Sequence, residues 1–167
     1  ATLTPPTPSP YCQGDAATPL TTTGVTGSNP LNWYLGSLSA TPSTVAPTPI
    51  TSTAGTTNYL VTQTSTVNGC ASTPATITIV VNATPSAPAY SNTYSTGAIT
   101  QCQGTSPISI SSAVVASVGG TLYYYTVPTG GIALSSTPSS TSSVAGTTTY
   151  YVSQVISGCE GPRTAVT

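Results

Sequence analysis

The sequence has no His, Lys, Phe or Met, and only 2% of its residues are charged. A soluble domain ordinarily carries about a quarter. The ionic side chains are Asp15, Glu160 and Arg163, for a formal net charge of −1. Nucleic acid and anionic membrane surfaces are bound through clustered cations, so a chain with one Arg has no footprint for either. General acid–base catalysis needs a group titrating near neutral pH, and a nucleophilic Ser or Thr needs a base beside it. With no His, and with its two carboxylates in different halves, the chain is read as not an enzyme. Metal sites are unexpected for the same reason, because no CxxC pair and no carboxylate cluster is present. No cofactor motif is found, since the glycines lack phosphate-loop spacing. The longest apolar run, Ile77 to Val81 interrupted by Thr78, is far too short to cross a bilayer.

What the chain has instead is Ser, Thr, 16 Pro and 15 Gly, with ten Tyr and one Trp. Helix formers are scarce and β-branched residues abundant, which predicts an all-β protein. The mean hydropathy of +0.16 and the strand-like apolar runs argue against a disordered stalk.

The chain also repeats itself. Tyr11-Cys12-Gln13-Gly14 matches Gln101-Cys102-Gln103-Gly104 at an offset of 90, and Trp33-Tyr34 is aligned with Tyr123-Tyr124 at the same offset. Ala54 to Gln63 then matches Ala145 to Gln154 at 91, and Asn68-Gly69-Cys70 matches Ser157-Gly158-Cys159 at 89. Two domains are therefore expected, 1–84 and 85–167, joined by the Pro-rich segment from Asn82 to Pro88. The last strand of the second copy looks incomplete beside Ala75 to Val81 of the first. Appending a further Ala1 to Thr4 would complete it, which suggests one period of a longer array; completion by Ala1 to Thr4 of a separate neighbouring subunit ranks behind that.

In the first copy, strands are expected near Ala17 to Thr23, Leu31 to Leu35, Pro49 to Thr53, Thr57 to Thr64 and Thr76 to Val81, with Gly, Pro, Asn and Ser turns between them. Tyr59, Val61 and Gln63 alternate with Asn58, Leu60 and Thr62, the period of a half-buried strand.

The order Cys-Gln-Gly, Trp-Tyr, Ala-Gly-Thr-Thr-x-Tyr-x-Val-x-Gln, Gly-Cys and a terminal Thr/Val/Ile strand resembles the Ig-like domains strung in tandem in large secreted surface proteins and adhesins of gliding and related bacteria. That resemblance implies two tandem Ig-like β-sandwich domains. It makes Trp33 the core aromatic of one copy and Tyr123 its replacement in the other, and places Tyr59 and Tyr150 near the tyrosine corner. Val61 and Val152 would stand where an antibody domain has its second core cysteine.

Cys12, Cys70, Cys102 and Cys159 fall at equivalent positions in the two copies and read as disulfide cysteines, which implies an oxidising compartment and so an extracellular or cell-surface location. Pairing within a copy, Cys12 with Cys70 and Cys102 with Cys159, is the default. An Ig topology, however, would set each such pair at opposite poles, roughly 20 Å apart, whereas a disulfide needs Cα atoms within about 7 Å. The alternative is Cys12 with Cys159, and Cys70 with a cysteine of the preceding unit.

The function these features suggest is a structural repeat of an extracellular filament or giant adhesin, a rigid, uncharged, disulfide-stabilised shaft whose partners are copies of itself. The alternative is a module whose loops or Tyr123-Tyr124-Tyr125 strand bind a carbohydrate or host receptor. Glycosylation of the Thr/Pro-rich segments, or at Asn82-Ala83-Thr84, stays open.

Overall fold

A computed structural model describes residues 2–167. The chain divides into two compact units, one ending at Ala83 and one running from Thr84 to Thr167. Among the described residues there is no α-helix; regular structure is ten strands and one 3-10 turn at Ile110–Ala113.

The first unit is built on a four-stranded sheet of β1 (Tyr11–Cys12), β2 (Leu31–Leu35), β3 (Gly55–Gln63) and β4 (Ala75–Asn82), in the order β1-β4-β3-β2. The strands are antiparallel except β1 and β4, which run parallel with Cys12 opposite Asn82. Alternation decides which faces turn inward. Tyr59 and Val61 of β3 and Ile77, Ile79 and Val81 of β4 are buried, and with Trp33 they form one cluster. The facing layer is mostly irregular chain. It closes the core with Leu3 and Leu20, and is tied together by the Thr4↔Thr23 bridge and by Leu20 N–H donating to the Pro47 carbonyl at 2.9 Å.

Two expected strands are therefore not regular strands. The segments 17–23 and 49–53 contribute single pairings only, such as Gly14 N–H to the Thr51 carbonyl. Pro19, Pro47 and Pro49 remove the donors a continuous ladder would need.

The second unit has β5 (Ala89–Tyr90), β6 (Val114–Val115), β7 (Thr121–Tyr125), β8 (Tyr150–Ile156), β9 (Cys159–Glu160) and β10 (Thr164–Val166). β8 is flanked by β7 and β10 and folds back on β9, while β5 and β6 form a separate pair. Its core gathers Ile110, Val114, Tyr124, Val152 and Val166. The two units repeat the same registers. Trp33 faces Val61 as Tyr124 faces Val152, and Tyr59 faces Ile77 as Tyr150 faces Val166.

This corrects one expected core position. The equivalent of Trp33 is Tyr124, at an offset of 91, and not Tyr123. Tyr124 and Tyr125 are 7% and 5% exposed, while Tyr123 is 40% exposed. The repeat's offset drifts by one residue before this strand, and a one-residue slip turns every side chain of a strand to the opposite face. Trp33 and Tyr59 are buried as expected. Tyr150 is half-buried and packs against the second core.

Candidate functional site

Each Cys-Gln-Gly builds the same tight turn. Asp15 N–H donates to the Cys12 carbonyl at 3.0 Å, and Gly14 takes a φ of +90°. In the second unit Thr105 N–H and Thr105 Oγ1 donate to the Cys102 carbonyl, and Gly104 takes +80°. A positive φ at the third residue is what a type II turn demands, which is why glycine stands there twice. The Gln between Cys and Gly pins the turn to the facing layer: Gln13 Nε2 donates to the Ser52 carbonyl at 2.8 Å and Gln103 Nε2 to the Ser143 carbonyl at 3.0 Å. Asp15 closes its own turn, its carboxylate accepting from Cys12 N–H at 2.7 Å.

The other two cysteines sit on hairpins at the far ends of their sheets. Cys70 lies past the end of β3, where its carbonyl accepts from Ser65 N–H. Cys159 opens β9 opposite Ile156, across the two-residue turn Ser157-Gly158, whose φ values are +51° and +83°. Two consecutive positive φ values match the twist of a tight hairpin. This hairpin is the place where the second copy is two residues shorter.

Cys12 and Cys159 are disulfide-bonded, and Cys70 and Cys102 are exposed free thiols. The default pairing within each copy is thus not formed. The reason is geometric. Cys12 sits beside Val81 and Asn82, at the Gly55 end of β3, and Cys70 beyond the Gln63 end. Eight residues of strand separate them by about 27 Å, several times the disulfide limit.

The second unit holds an open groove beside Cys102. Its volume is ≈ 560 Å³, and Gln101, Gln103, Gly146, Thr148, Tyr150 and Thr167 are among the residues that line it. In the first unit the equivalent residues are paired: Gly55 to Asn58 with Val81 to Thr78, and Tyr11-Cys12 with Val81-Asn82. β10 spans Thr164–Val166, and among the described residues 146–149 pair with no strand. Gln101 Oε1 accepts from Ser140 Oγ at 2.9 Å, but its buried Nε2 has no partner.

Two of the three charges meet at the opposite end of the second unit. The Arg163 guanidinium lies 3.3 Å from the centroid of the Tyr125 ring and donates to the carbonyls of Val127 and Gly130, both at 2.8 Å. Glu160 is 4.0 Å from Arg163 and accepts from Tyr125 Oη at 2.7 Å and Ser153 Oγ at 2.6 Å. Burial raises the Glu160 pKa, but the two hydroxyl donors and the Arg163 charge outweigh it and hold the carboxyl below its ordinary value. Tyr125 is pushed up, first by burial and then by its hydrogen bond to Glu160. The cluster clamps the 127–130 loop onto β7 and β9.

Gln63 and Gln154 carry a role the motif did not announce. They are 3% and 0% exposed. Gln154 Nε2 donates to the Ser86 carbonyl at 2.8 Å and to Ser117 Oγ at 3.0 Å, and its Oε1 accepts from Ser117 N–H at 2.7 Å. Gln63 binds the backbone of Thr26 in the same way. Such fully bonded buried amides fix the loops that cap each core. The signal available in sequence was their recurrence as the last residue of the longest repeated segment.

Residues 85–167 match the family model described as the Ig-like domain, CHU_C associated. The second unit is an Ig-like domain. Its two-layered β arrangement, with Val152 fully buried at the centre of β8, is that domain's core without an inter-sheet disulfide. Among solved structures, a similar one is SGBP-B of the Bacteroides ovatus mixed-linkage glucan utilization locus, in complex with a mixed-linkage heptasaccharide. It shares 16% identity at a TM-score of 0.33, and the match covers 99% of this chain and 47% of that one. The chain thus spans about half the length of that protein. No curated protein matches this sequence. No described helix is long and apolar enough to cross a membrane.

Proposed function

We propose that the chain is a structural repeat unit of an extracellular filament or large bacterial surface adhesin, two tandem Ig-like domains joined by the Pro-rich segment and acting as an uncharged, disulfide-bonded shaft without catalytic activity. The observation that carries this reading is the recurrence, unit to unit, of one set of registers together with one set of fixtures: the Cys-Gln-Gly turn, the buried Gln and the hairpin cysteine. Repeated modules held by nearest-neighbour interactions are how extended proteins gain length. A surface without like charges also leaves neighbouring copies nothing to repel.

The alternative is a carbohydrate- or receptor-binding module that uses its loops or the Tyr123-Tyr124-Tyr125 strand. Tyr124 fills the core and Tyr125 is buried beneath the Arg163 guanidinium, leaving Tyr123 as the exposed aromatic of that strand.

Immunogold labelling of the native cell surface with antibody to this chain tests the shaft reading. Gold at regular spacing along surface fibres is expected. Label confined to fibre tips, or spread evenly over the envelope, would contradict it.

A further inference from the structure

The groove of the second unit lies where the first unit carries the outer half of β4. There Thr78 to Val81 pair antiparallel with Asn58 to Gly55, while Val81-Asn82 pair in parallel with Tyr11-Cys12, so Val81 is held from both sides. Ile79 and Val81 turn inward and are buried in the first core. In the second unit both rails of this arrangement stand open. By repeat position they are Gly146 to Thr149 and Gln101-Cys102, and among the described residues neither segment pairs with a strand.

The register on both rails is already laid down. Tyr150 faces Val166 as Tyr59 faces Ile77, so Thr167 takes the place of Thr78. Thr149 Oγ1 lies 3.4 Å from Thr167 Oγ1, where Asn58 Oδ1 accepts from Thr78 Oγ1 at 2.9 Å. On the other side Thr167 N–H donates to the Gly97 carbonyl at 2.9 Å, and the Thr167 carbonyl accepts from Ile99 N–H at 2.8 Å. That is the bonding of a parallel pair, Thr167 with Ala98. Carried forward by three residues, the antiparallel register reaches Gly146 and the parallel one reaches Gln101. One residue of an entering strand therefore faces both, as Val81 faces both Gly55 and Tyr11. Two separate pairings thus agree on a slot one strand wide.

The main chain of the slot is turned toward an occupant. In the first unit Gly36 N–H donates to the Asn58 carbonyl on the β2 side of β3. Backbone groups alternate sides along an antiparallel strand, so Thr57 and Gly55 direct theirs at β4. Their counterparts, Thr148 and Gly146, direct theirs into the groove, whose walls also include Ile99, Ile110 and Tyr150 and no charged side chain.

We infer that this slot is a peptide-binding site, taking an extended strand of a partner polypeptide with apolar, β-branched residues at its first and third positions. Those two positions match Ile79 and Val81 and turn their side chains inward, while the main chain bonds Thr148 on one side and Gln101 on the other. Strand addition of this kind draws affinity from backbone hydrogen bonds and specificity from the alternate side chains. The inference stands on the second unit alone and does not depend on the shaft reading.

The test is titration of the isotope-labelled chain with acetyl-Ile-Val-Val-Asn-Gly-Lys-Lys-amide, the sequence of 79–82 with a solubilising tail, read by amide NMR. Saturable shifts at Gly146 to Thr149 and Gln101 to Gln103 are expected at peptide concentrations up to about 1 mM, the range of a weak complex. A peptide with its apolar residues moved to the second and fourth positions should not bind, because the slip turns them outward. Thr148→Pro removes the N–H that faces the slot and should weaken binding about tenfold, the worth of one good hydrogen bond, while Thr148→Ala should bind as wild type. A peptide N-methylated at its Ile should show the same loss with the unaltered chain. No saturable shift, shifts centred elsewhere, equal binding of the moved-pattern peptide, or full affinity in Thr148→Pro and for the N-methylated peptide would each overturn the inference. So would a β-glucan oligosaccharide that shifts these amides where the peptide does not.

Discussion

Replacing Tyr124 and Tyr123 separately by Ala tests the register on which the repeat rests. Tyr124 stands opposite Val152 in the second core and is 7% exposed, while Tyr123 stands opposite Ser153 and is 40% exposed. Emptying a buried aromatic site costs about 3–5 kcal/mol, because the cavity adds to the lost transfer energy. For a unit of this size each kcal/mol moves Tm by roughly 4–8 °C, so Tyr124→Ala should lower the second unit's transition by about 12 °C or more. Tyr123→Ala removes cross-strand contact at an exposed position, worth about 1 kcal/mol at most. Differential scanning calorimetry of both variants, with Tyr124→Leu as a milder form should the alanine variant not fold, measures the contrast. Equal losses, or a larger loss at Tyr123, would refute the assigned register and the equivalence of Tyr124 with Trp33.

Three further outcomes follow from the same geometry. Gln154→Leu deletes the buried amide that accepts from Ser117 N–H and donates to the Ser86 carbonyl, and should cost about 1–3 kcal/mol for the lost hydrogen bonds, seen as a lower urea midpoint at unchanged slope. Stability should be flat between about pH 5 and 9. Glu160 is held below its ordinary value, so its contribution is complete above the unfolded pKa of about 4.3 and fades as pH falls through the lower folded value. Tyr125 is raised, so its contribution is complete below about pH 10 and fades as pH climbs past the folded value. Both effects should be small because few groups titrate, and a cooperative acid transition by pH 3 in circular dichroism would contradict this. Trypsin should leave the native chain intact, since the Arg163 side chain is 11% exposed and bonded to two carbonyls, yet cut the unfolded chain once; rapid native cleavage after Arg163 would show the clamp is not formed.

The strands whose apolar residues alternate without prolines were legible in sequence: Leu31 to Leu35 is β2 to the residue, and Gly55–Gln63 and Ala75–Asn82 lie within a residue or two of expectation. Segments 17–23 and 49–53, which hold Pro19 and Pro49, read as strands because of their β-branched side chains, but proline denies them ladders. The core aromatic of the second unit was missed by one position because three consecutive tyrosines give no phase, and only pairing with Val152 sets it. The cysteines were legible as a repeated pair, and the Ig topology already set the partners within a copy at opposite poles, with Cys12–Cys159 as the alternative; the folded sheet adds the separation that decides against Cys12–Cys70. The groove beside Cys102 became visible only once the pairing of Gly55 to Asn58 with Thr78 to Val81 gave something to compare it with.

The central claim is that this two-unit module repeats along a fibre, and the mass of the protein from its natural source, in denaturant with and without reductant, tests it most directly. The account predicts species far above 16.5 kDa, either surviving reduction as one long chain or resolving on reduction into disulfide-linked units. A single species near 16.5 kDa under both conditions would contradict it.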